Sequence, residues 1–322
     1  MSLFLITGGA GFIGSSIVRC LLALGESVRV IDDCSTGKRE NLADVENNID
    51  FVNGSITDVS VTETAMKGCD YCIHQAAVPS VPRSVADPAR THEANVTGTV
   101  NVLLAARDAG VDRVVMASSS SVYGNATSFP VDENLPVAPI SPYAVSKAAA
   151  EMYARVFSDL YEIEVVALRY FNVFGPRQDP NSPYSAVIPL FINAMLQGKS
   201  PRIFGDGEQT RDFTYVENVA AANVKACFAP GRISGAYNIA GGDPHSLLDV
   251  VDALNEIIGT TVLPEFADAR PGDVLNSHAS VKRAEAAFGY RPQVDFRSGL
   301  AETVEWYREV LGAFTAETAT KE

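Results

Sequence analysis

The sequence predicts an α/β protein: a doubly wound parallel sheet covered on both faces, with a smaller C-terminal α/β lobe. Short apolar runs alternate with helical patterns through the first half, which is how fully buried strands and their crossover helices read. A glycine-rich turn follows the first apolar run directly. The chain has 322 residues and 47% hydrophobic content, enough for one large domain and a lobe.

In chain order, "LFLIT" is the first strand and "IGSSIVRCLLAL" the first helix. "SVRVID", "IDFVN", "DYCIHQAAV", "DRVVMAS" and "VVALRYF" supply further strands, joined by right-handed crossovers. From Gly175 the pattern loosens into a loop with Pro176, Pro180 and Pro183, followed by an apolar helix "AVIPLFINAMLQ". "DFTYVENVAAANVKACF" and "GAYNIAGG" read as helix and strand returning to the large sheet, while "SLLDVVDALNEIIG" and "VLPEF" suit the lobe. The division expected is 1–174 for the first domain, with segments near 206–242 returning to it, 175–314 mainly for the lobe, and a frayed tail at 315–322.

The helix after "DRVVMASS" starts legibly. Ser141 is a good N-cap and Pro142 suits the first helical position, where an N–H would go unsatisfied anyway. Tyr143 and Lys147 follow, four residues apart and so on one helix face.

A net charge of −14 argues against general affinity for nucleic acid or anionic membrane surfaces. The first ten residues hold no basic run, and "LFLIT" is too short to span a bilayer, so a cytoplasmic protein without a membrane segment is expected. Five scattered cysteines suggest no disulfide framework. Cys69 and Cys72 form a C-x-x-C without a second pair, and Cys72 sits in an apolar strand. They read as reduced core thiols, and no metal site is expected.

The turn "TGGAGFIGSS" places Gly8, Gly11 and Gly14 between a strand and an amphipathic helix. Such glycines permit a tight turn, close approach to a pyrophosphate and close helix packing, and the helix N-terminus favours the anion. Asp32 ends the second strand, eighteen residues after Gly14. A carboxylate there accepts from the adenosine ribose and repels a 2′-phosphate, which favours NAD over NADP.

The glycine spacing, Tyr143-x-x-x-Lys147, "SSSSVYG", "RYFNVFGP", "ANVTGTVNVL", "GDGEQTRDFTYVENVA" and "RPGDVLNSHAS" together resemble the extended short-chain dehydrogenase/reductase family, with its Rossmann-type domain. The resemblance runs from Leu3 to Trp306 and is greatest to the UDP-hexose 4-epimerases. It implies Tyr143 as catalytic base and acid, Lys147 lowering its pKa and holding the nicotinamide ribose, and Ser119 as the partner hydroxyl relaying the proton. The physics agrees, because a phenol is a poor base at neutral pH unless an ammonium stands near it. Cofactor contacts are implied at Gly8, Gly11, Phe12, Ile13, Gly14, Asp32, Ser55, Ile56, Ala76, Ala77, Asn95, Tyr143, Lys147 and Tyr170. Ser55 stands where relatives commonly carry an aspartate for the adenine amine, a role open also to Asp58.

On the substrate side the resemblance implies Asn172 at the diphosphate, and Arg211, Arg270 and Asp273 gripping phosphate and uridine ribose. Phe204 would line the base pocket, while Ser80, Ser119 and Ser120 face the hexose. Ser120 and Ser121 stand where related dehydratases carry acids, which points to simple epimerisation. Ser277 falls beside the sugar C2 substituent. Its small side chain leaves room, so UDP-GlcNAc and UDP-GalNAc are expected as substrates beside UDP-Glc and UDP-Gal. The implied reaction proceeds through a 4-keto sugar, with NAD recycled. A UDP-uronate epimerase or decarboxylase is the nearest alternative, and a non-catalytic NAD sensor a distant one. His74 reads as structural. The resemblance also implies a homodimer built on "ANVTGTVNVLLAARDAG" and the helix from Pro142, whose outer residues Met152, Val156 and Leu160 need a cover.

Overall fold

A computed structural model describes residues 1–179, 186–269 and 276–319, with side chains through residue 311. Two expected substrate residues, Arg270 and Asp273, lie outside the described residues. The first half runs β1 (Leu3–Thr7), α1 (Phe12–Ala23), β2 (Ser27–Asp32), β3 (Ile49–Asn53), α2 (Val59–Met66), β4 (Tyr71–His74), α3 (Val81–Ala86) and α4 (Pro88–His92). A π-helical turn at Glu93–Thr97 leads into α5 (Gly98–Ala109), β5 (Arg113–Ser119), α6 (Pro142–Leu160) and β6 (Glu164–Tyr170). Then come β7 (Val173–Phe174), α7 (Val187–Leu196), β8 (Arg202–Phe204), β9 (Thr210–Asp212), β10 (Thr214–Tyr215), α8 (Val216–Cys227) and β11 (Gly235–Ile239). The chain closes with β12 (Pro244–Ser246), α9 (Leu247–Ile258), β13 (Glu265–Ala267), α10 (Lys282–Phe288) and α11 (Phe296–Ala319).

The central sheet is parallel and seven-stranded, in the order β3-β2-β1-β4-β5-β6-β11. Alternation along each strand decides which helices it carries. Phe4 and Ile6 of β1, with Val28 and Val30 of β2, bury one face against Ile17 and Leu21 of α1 and Val219 of α8. Leu5, Ile31 and Val114 bury the other against Met66, Leu103 and Phe157 of α2, α5 and α6. Arg113 ties α8 down: its guanidinium pairs with Glu164 at 2.6 Å and donates to the carbonyls of Ala226, Cys227 and Ala229 at the helix end. These are the orphan acceptors of a helix C-terminus, and a cation suits them.

Strand order reverses between β1 and β4, so their carboxyl ends open a crevice, the usual ligand position in such sheets. Beyond β6 a second core gathers Phe174, Phe191, Ile192, Val250, Leu254 and Val304 from α7, α9, α11 and the short strands. The last helix, α11, ends at Ala319.

Candidate active site

The glycine turn forms one wall of the crevice. Gly8 lies at φ +69°, and a Cβ on it would stand 2.6 Å from the Ala76 nitrogen; one on Gly14 would stand 2.2 Å from the Gly8 carbonyl oxygen. Neither position accepts a side chain without backbone movement. Gly11 caps α1 with no side-chain cap, which leaves first-turn N–H groups of that helix open for an anion. Asp32 sets the adjoining edge. Its carboxylate accepts from the Ala10 N–H at 2.9 Å and the Cys34 N–H at 2.8 Å. Burial pushes its pKa up while those two donors pull it down, and the remaining lone pairs stay available to ribose hydroxyls.

A cavity of about 460 Å³ runs from this turn past β4 to α6. Gly8, Gly11, Phe12, Ile13, Gly14, Asp32, Ser55, Ile56, Ala76, Ala77, Ser80, Tyr143, Lys147 and Tyr170 all line it. Asn95 does not. Its Oδ1 accepts from the Val78 N–H at 2.7 Å, and its Nδ2 donates to Val78 O and Ser146 Oγ, so it is a strut behind the wall. Asp58 does not line it either and caps α2, its Oδ1 accepting from the Ser60 and Val61 N–H groups. Gln75 and Arg83 line the cavity too. Gln75 carried a usable signal, for it directly follows a strand at the carboxyl edge.

At the deep end, α6 starts as its sequence dictates, with Ser141 Oγ accepting from the Ala144 N–H at 3.2 Å and Pro142 in the first turn. Tyr143 therefore projects from the first turn to line the cavity, where Ser119 favours its phenolate. Lys147, one turn on and 6% exposed, donates to Ala117 O at 2.9 Å and stands 6.0 Å from the Tyr143 ring centroid. Burial pushes the ammonium down to about 8, partly opposed by Glu151. Burial, chiefly, raises the Tyr143 pKa, and Ser119 opposes it. The phenolate thus needs further positive charge in the cavity.

Polar struts hold these groups. Glu151 forms a two-pronged pair with Arg169, at 2.9 and 2.7 Å, and accepts from Ser118. His74 is fully enclosed. The Thr99 hydroxyl donates to Asn95 O, so its oxygen takes the proton of His74 Nε2, while Thr7 Oγ1 donates to Nδ1 at 2.6 Å. Burial, chiefly, and Lys147 push its pKa down to about 3, so the ring stays neutral and structural. Cys69 and Cys72 are buried, and burial pushes the Cys69 thiol up to about 11, which makes it unreactive.

On the lobe side, Asn172 lies at φ +34° after β6 and its Nδ2 donates to Asp212 O at 3.0 Å and to Ser277 Oγ at 3.1 Å. Both amide protons are committed, so a diphosphate contact displaces one of them. Arg211 sits on β9, whose Thr210 donates to Asn276 at 3.0 Å, so that β9 and the segment carrying Ser277 form one bonded group. Asp212, which the sequence did not single out, is its hub: it accepts from the N–H groups of Gly241, Gly242 and Ala279. Phe204 ends β8 at the far side of this loop and takes a hydrogen bond on its carbonyl from Gln209 at 2.7 Å. None of Asn172, Phe204, Arg211 and Ser277 lines the 460 Å³ cavity. Ser120 begins the 3₁₀ turn after Ser119.

A glycine-turn crevice with a half-buried tyrosine and a buried lysine at its end defines a class of NAD-using enzyme. The chain matches the NAD dependent epimerase/dehydratase family over residues 4–240 and belongs to that family. It is 40% identical over 308 residues to the UDP-glucose 4-epimerase of Mycolicibacterium smegmatis, covering 94% of this chain and 98% of that protein. Among solved structures, it is 39% identical to UDP-N-acetylglucosamine 4-epimerase from Methanobrevibacter ruminantium M1 in complex with UDP-N-acetylmuramic acid, with a TM-score of 0.92 over 96% of this chain and 99% of that one. It is also 39% identical to the UDP-glucose 4-epimerase of Thermus thermophilus in complex with NAD, with a TM-score of 0.86 over 95% and 99% of the two chains. The residues present here fit NAD, since Gly11 leaves the N-terminus of α1 without a side-chain cap and Asp32 lines the adjoining edge of the cavity. Among the described residues no helix is long and apolar enough to cross a membrane.

Proposed function

We propose that this protein inverts C4 of UDP-linked hexoses through a 4-keto sugar, interconverting UDP-glucose with UDP-galactose and UDP-GlcNAc with UDP-GalNAc. The observation that carries the reading is Tyr143 and Lys147 together in the wall of the glycine-turn cavity, with the ammonium 6.0 Å from the tyrosine ring centroid and pinned by Ala117 O. When bound, NAD supplies the hydride-accepting and hydride-returning chemistry at C4. Tyr143 removes and later returns the 4-hydroxyl proton, Lys147 holds positive charge near the phenol, and Ser119 bonds it. Ser120 and Ser121 supply hydroxyls where elimination chemistry needs an acid or base. The lobe residues Asn172, Arg211, Arg270, Asp273, Phe204 and Ser277 anchor the UDP and border the sugar, so binding energy falls on the nucleotide and leaves the sugar free to turn. In this reading 1–174 with the segments near 206–242 carry the cofactor and 175–314 mainly the nucleotide sugar.

The experiment is proton NMR of the purified protein with UDP-GlcNAc and NAD. UDP-GalNAc signals are expected, and their absence together with unchanged UDP-Glc overturns the reading. A UDP-uronate substrate is favoured by one observation, Arg83 in the cavity wall beside Ser80, a guanidinium suited to a carboxylate. UDP-glucuronate added to the same sample tests it. The setting proposed is the cytoplasm, supported by the five unpaired cysteines, and the assembly a homodimer. Supporting the dimer, α6 exposes Val145, Met152, Val156 and Leu160 at 52%, 64%, 45% and 69%, an apolar stripe that a second copy would cover.

A further inference from the structure

Two tyrosines stand at the deep end of the cavity: Tyr143 comes from α6, Tyr170 ends β6, and both line it. The hydroxyl of Tyr170 is fully engaged inside the protein. Its oxygen receives a proton from Gln75 Nε2 at 3.0 Å and one from Asn223 Nδ2 at 2.9 Å. Its own proton has Asn223 Oδ1 at 3.0 Å and Gln75 Oε1 at 3.3 Å as acceptors. A phenol has one proton to give and two lone pairs to receive with, so nothing is left for a ligand. The amide donors are committed too, since Gln75 Nε2 also reaches Asn223 Oδ1 at 3.2 Å and Asn223 Nδ2 reaches Val219 O at 2.8 Å.

The three side chains come from separate elements. Gln75 follows β4, its N–H fixed by Thr7 O at 3.0 Å, and Asn223 lies on α8 with no exposed surface and outside the cavity wall. Strand β5 runs between β4 and β6, so the knot passes under its end, on the sheet face that packs α8. We propose that Gln75 and Asn223 are positioning residues that lock the Tyr170 hydroxyl, so that Tyr170 offers the nicotinamide end of NAD its ring and not its hydroxyl, leaving proton transfer there to Tyr143. Bonds from two directions hold the ring in one orientation, so its ordering falls on folding and not on binding. Burial, chiefly, also holds the Tyr170 pKa well above its ordinary value, which keeps the phenol protonated.

The inference rests on the reading of the cavity as an NAD site, and its test separates the two. Calorimetry on the full-length chain reads NAD and UDP affinity independently. Asn223→Leu and Gln75→Leu each remove one side of the lock and should weaken NAD about 3- to 10-fold while UDP affinity holds. Gln75 is half-buried, so its variant reads the lock even where a change at Asn223 stops folding. Tyr170→Phe keeps the ring and should weaken NAD about threefold, whereas Tyr170→Leu should weaken it about tenfold or more. Added to Tyr170→Leu, Gln75→Leu should bring no further loss, because it acts through that ring. Equal losses in Tyr170→Phe and Tyr170→Leu overturn the proposal, as do unchanged NAD affinity in the two amide variants, UDP affinity that falls in step with NAD, or a full further loss in the double variant. Before NAD is added, isotope-labelled tyrosine should show a slowly exchanging Tyr170 hydroxyl proton, assigned with Tyr170→Phe, and its absence refutes the lock. A wild-type chain that binds no NAD sinks the cofactor reading, while the hydroxyl signal still reports on Gln75 and Asn223.

Discussion

The chemistry at the end of the cavity depends on one buried ammonium. Lys147 projects from α6 and donates to Ala117 O, and burial pushes its pKa from 10.5 to about 8. Below about 8 it is cationic and supports the phenolate of Tyr143; above, that support is lost. Epimerase activity is therefore expected to fall as pH rises through about 8, a limb read from the pH profile of kcat. Folding has the opposite sign. Burying the charged amine costs stability below about 8, and the cost lifts as pH rises toward the unfolded value of 10.5. Tyr143→Phe should lower kcat by about 10²–10⁴-fold while calorimetric NAD binding persists, because the glycine turn and Asp32 are untouched. Tyr143 and Lys147 were legible as residue types at a helical spacing, and Ser119 only through the family resemblance of its motif. That burial, and not the lysine, dominates the phenol was not legible, because it depends on what packs above and below the ring.

The first turn and α1 form the element on which cofactor capture depends. A methyl on Gly14 would meet the Gly8 carbonyl at 2.2 Å, so Gly14→Ala must push the helix from the strand or open the turn. Overpacking of this kind costs about 1–3 kcal/mol. We expect NAD affinity to fall by roughly tenfold or more, measured by calorimetry, with the lobe core of Phe174 and Phe191 intact by near-ultraviolet circular dichroism. The start of α6 was readable because Ser141 and Pro142 act on their own backbone. The π-helical turn at Glu93–Thr97 was not. Its side chains are chosen by distant partners: Asn95 by Val78 and Ser146, and its carbonyl by Thr99 in the chain that fixes His74.

At the scale of the whole molecule, the apolar stripe on α6 predicts association. Replacing Met152 and Val156 by glutamate is expected to weaken self-association by roughly 30-fold or more and shift the species seen by sedimentation from dimer to monomer. Both residues are exposed, at 64% and 45%, so the monomer should keep its fold. A wild-type chain that sediments as a monomer contradicts the homodimer. The two halves of the site are joined at this scale as well. Asn172 leaves the end of β6 and bonds Ser277, 105 residues away in sequence, while Asp212 ties β9 to Gly241 and Ala279.

By itself, the sequence determined the parallel sheet, its glycine turn, the capped helix carrying Tyr143 and Lys147, and the preference of Asp32 for NAD. Each follows from interactions within a few residues or from the period of the apolar pattern, and such signals are written locally. Only the tertiary structure decided that Asn95 is a strut and Asp58 a helix cap, that Glu151 and Arg169 pair beside Lys147, and that Asp212 is the hub of the lobe. Those facts concern which donor meets which acceptor. A polar side chain carries the capacity for several bonds, and packing chooses among them because every buried donor and acceptor must be satisfied at once.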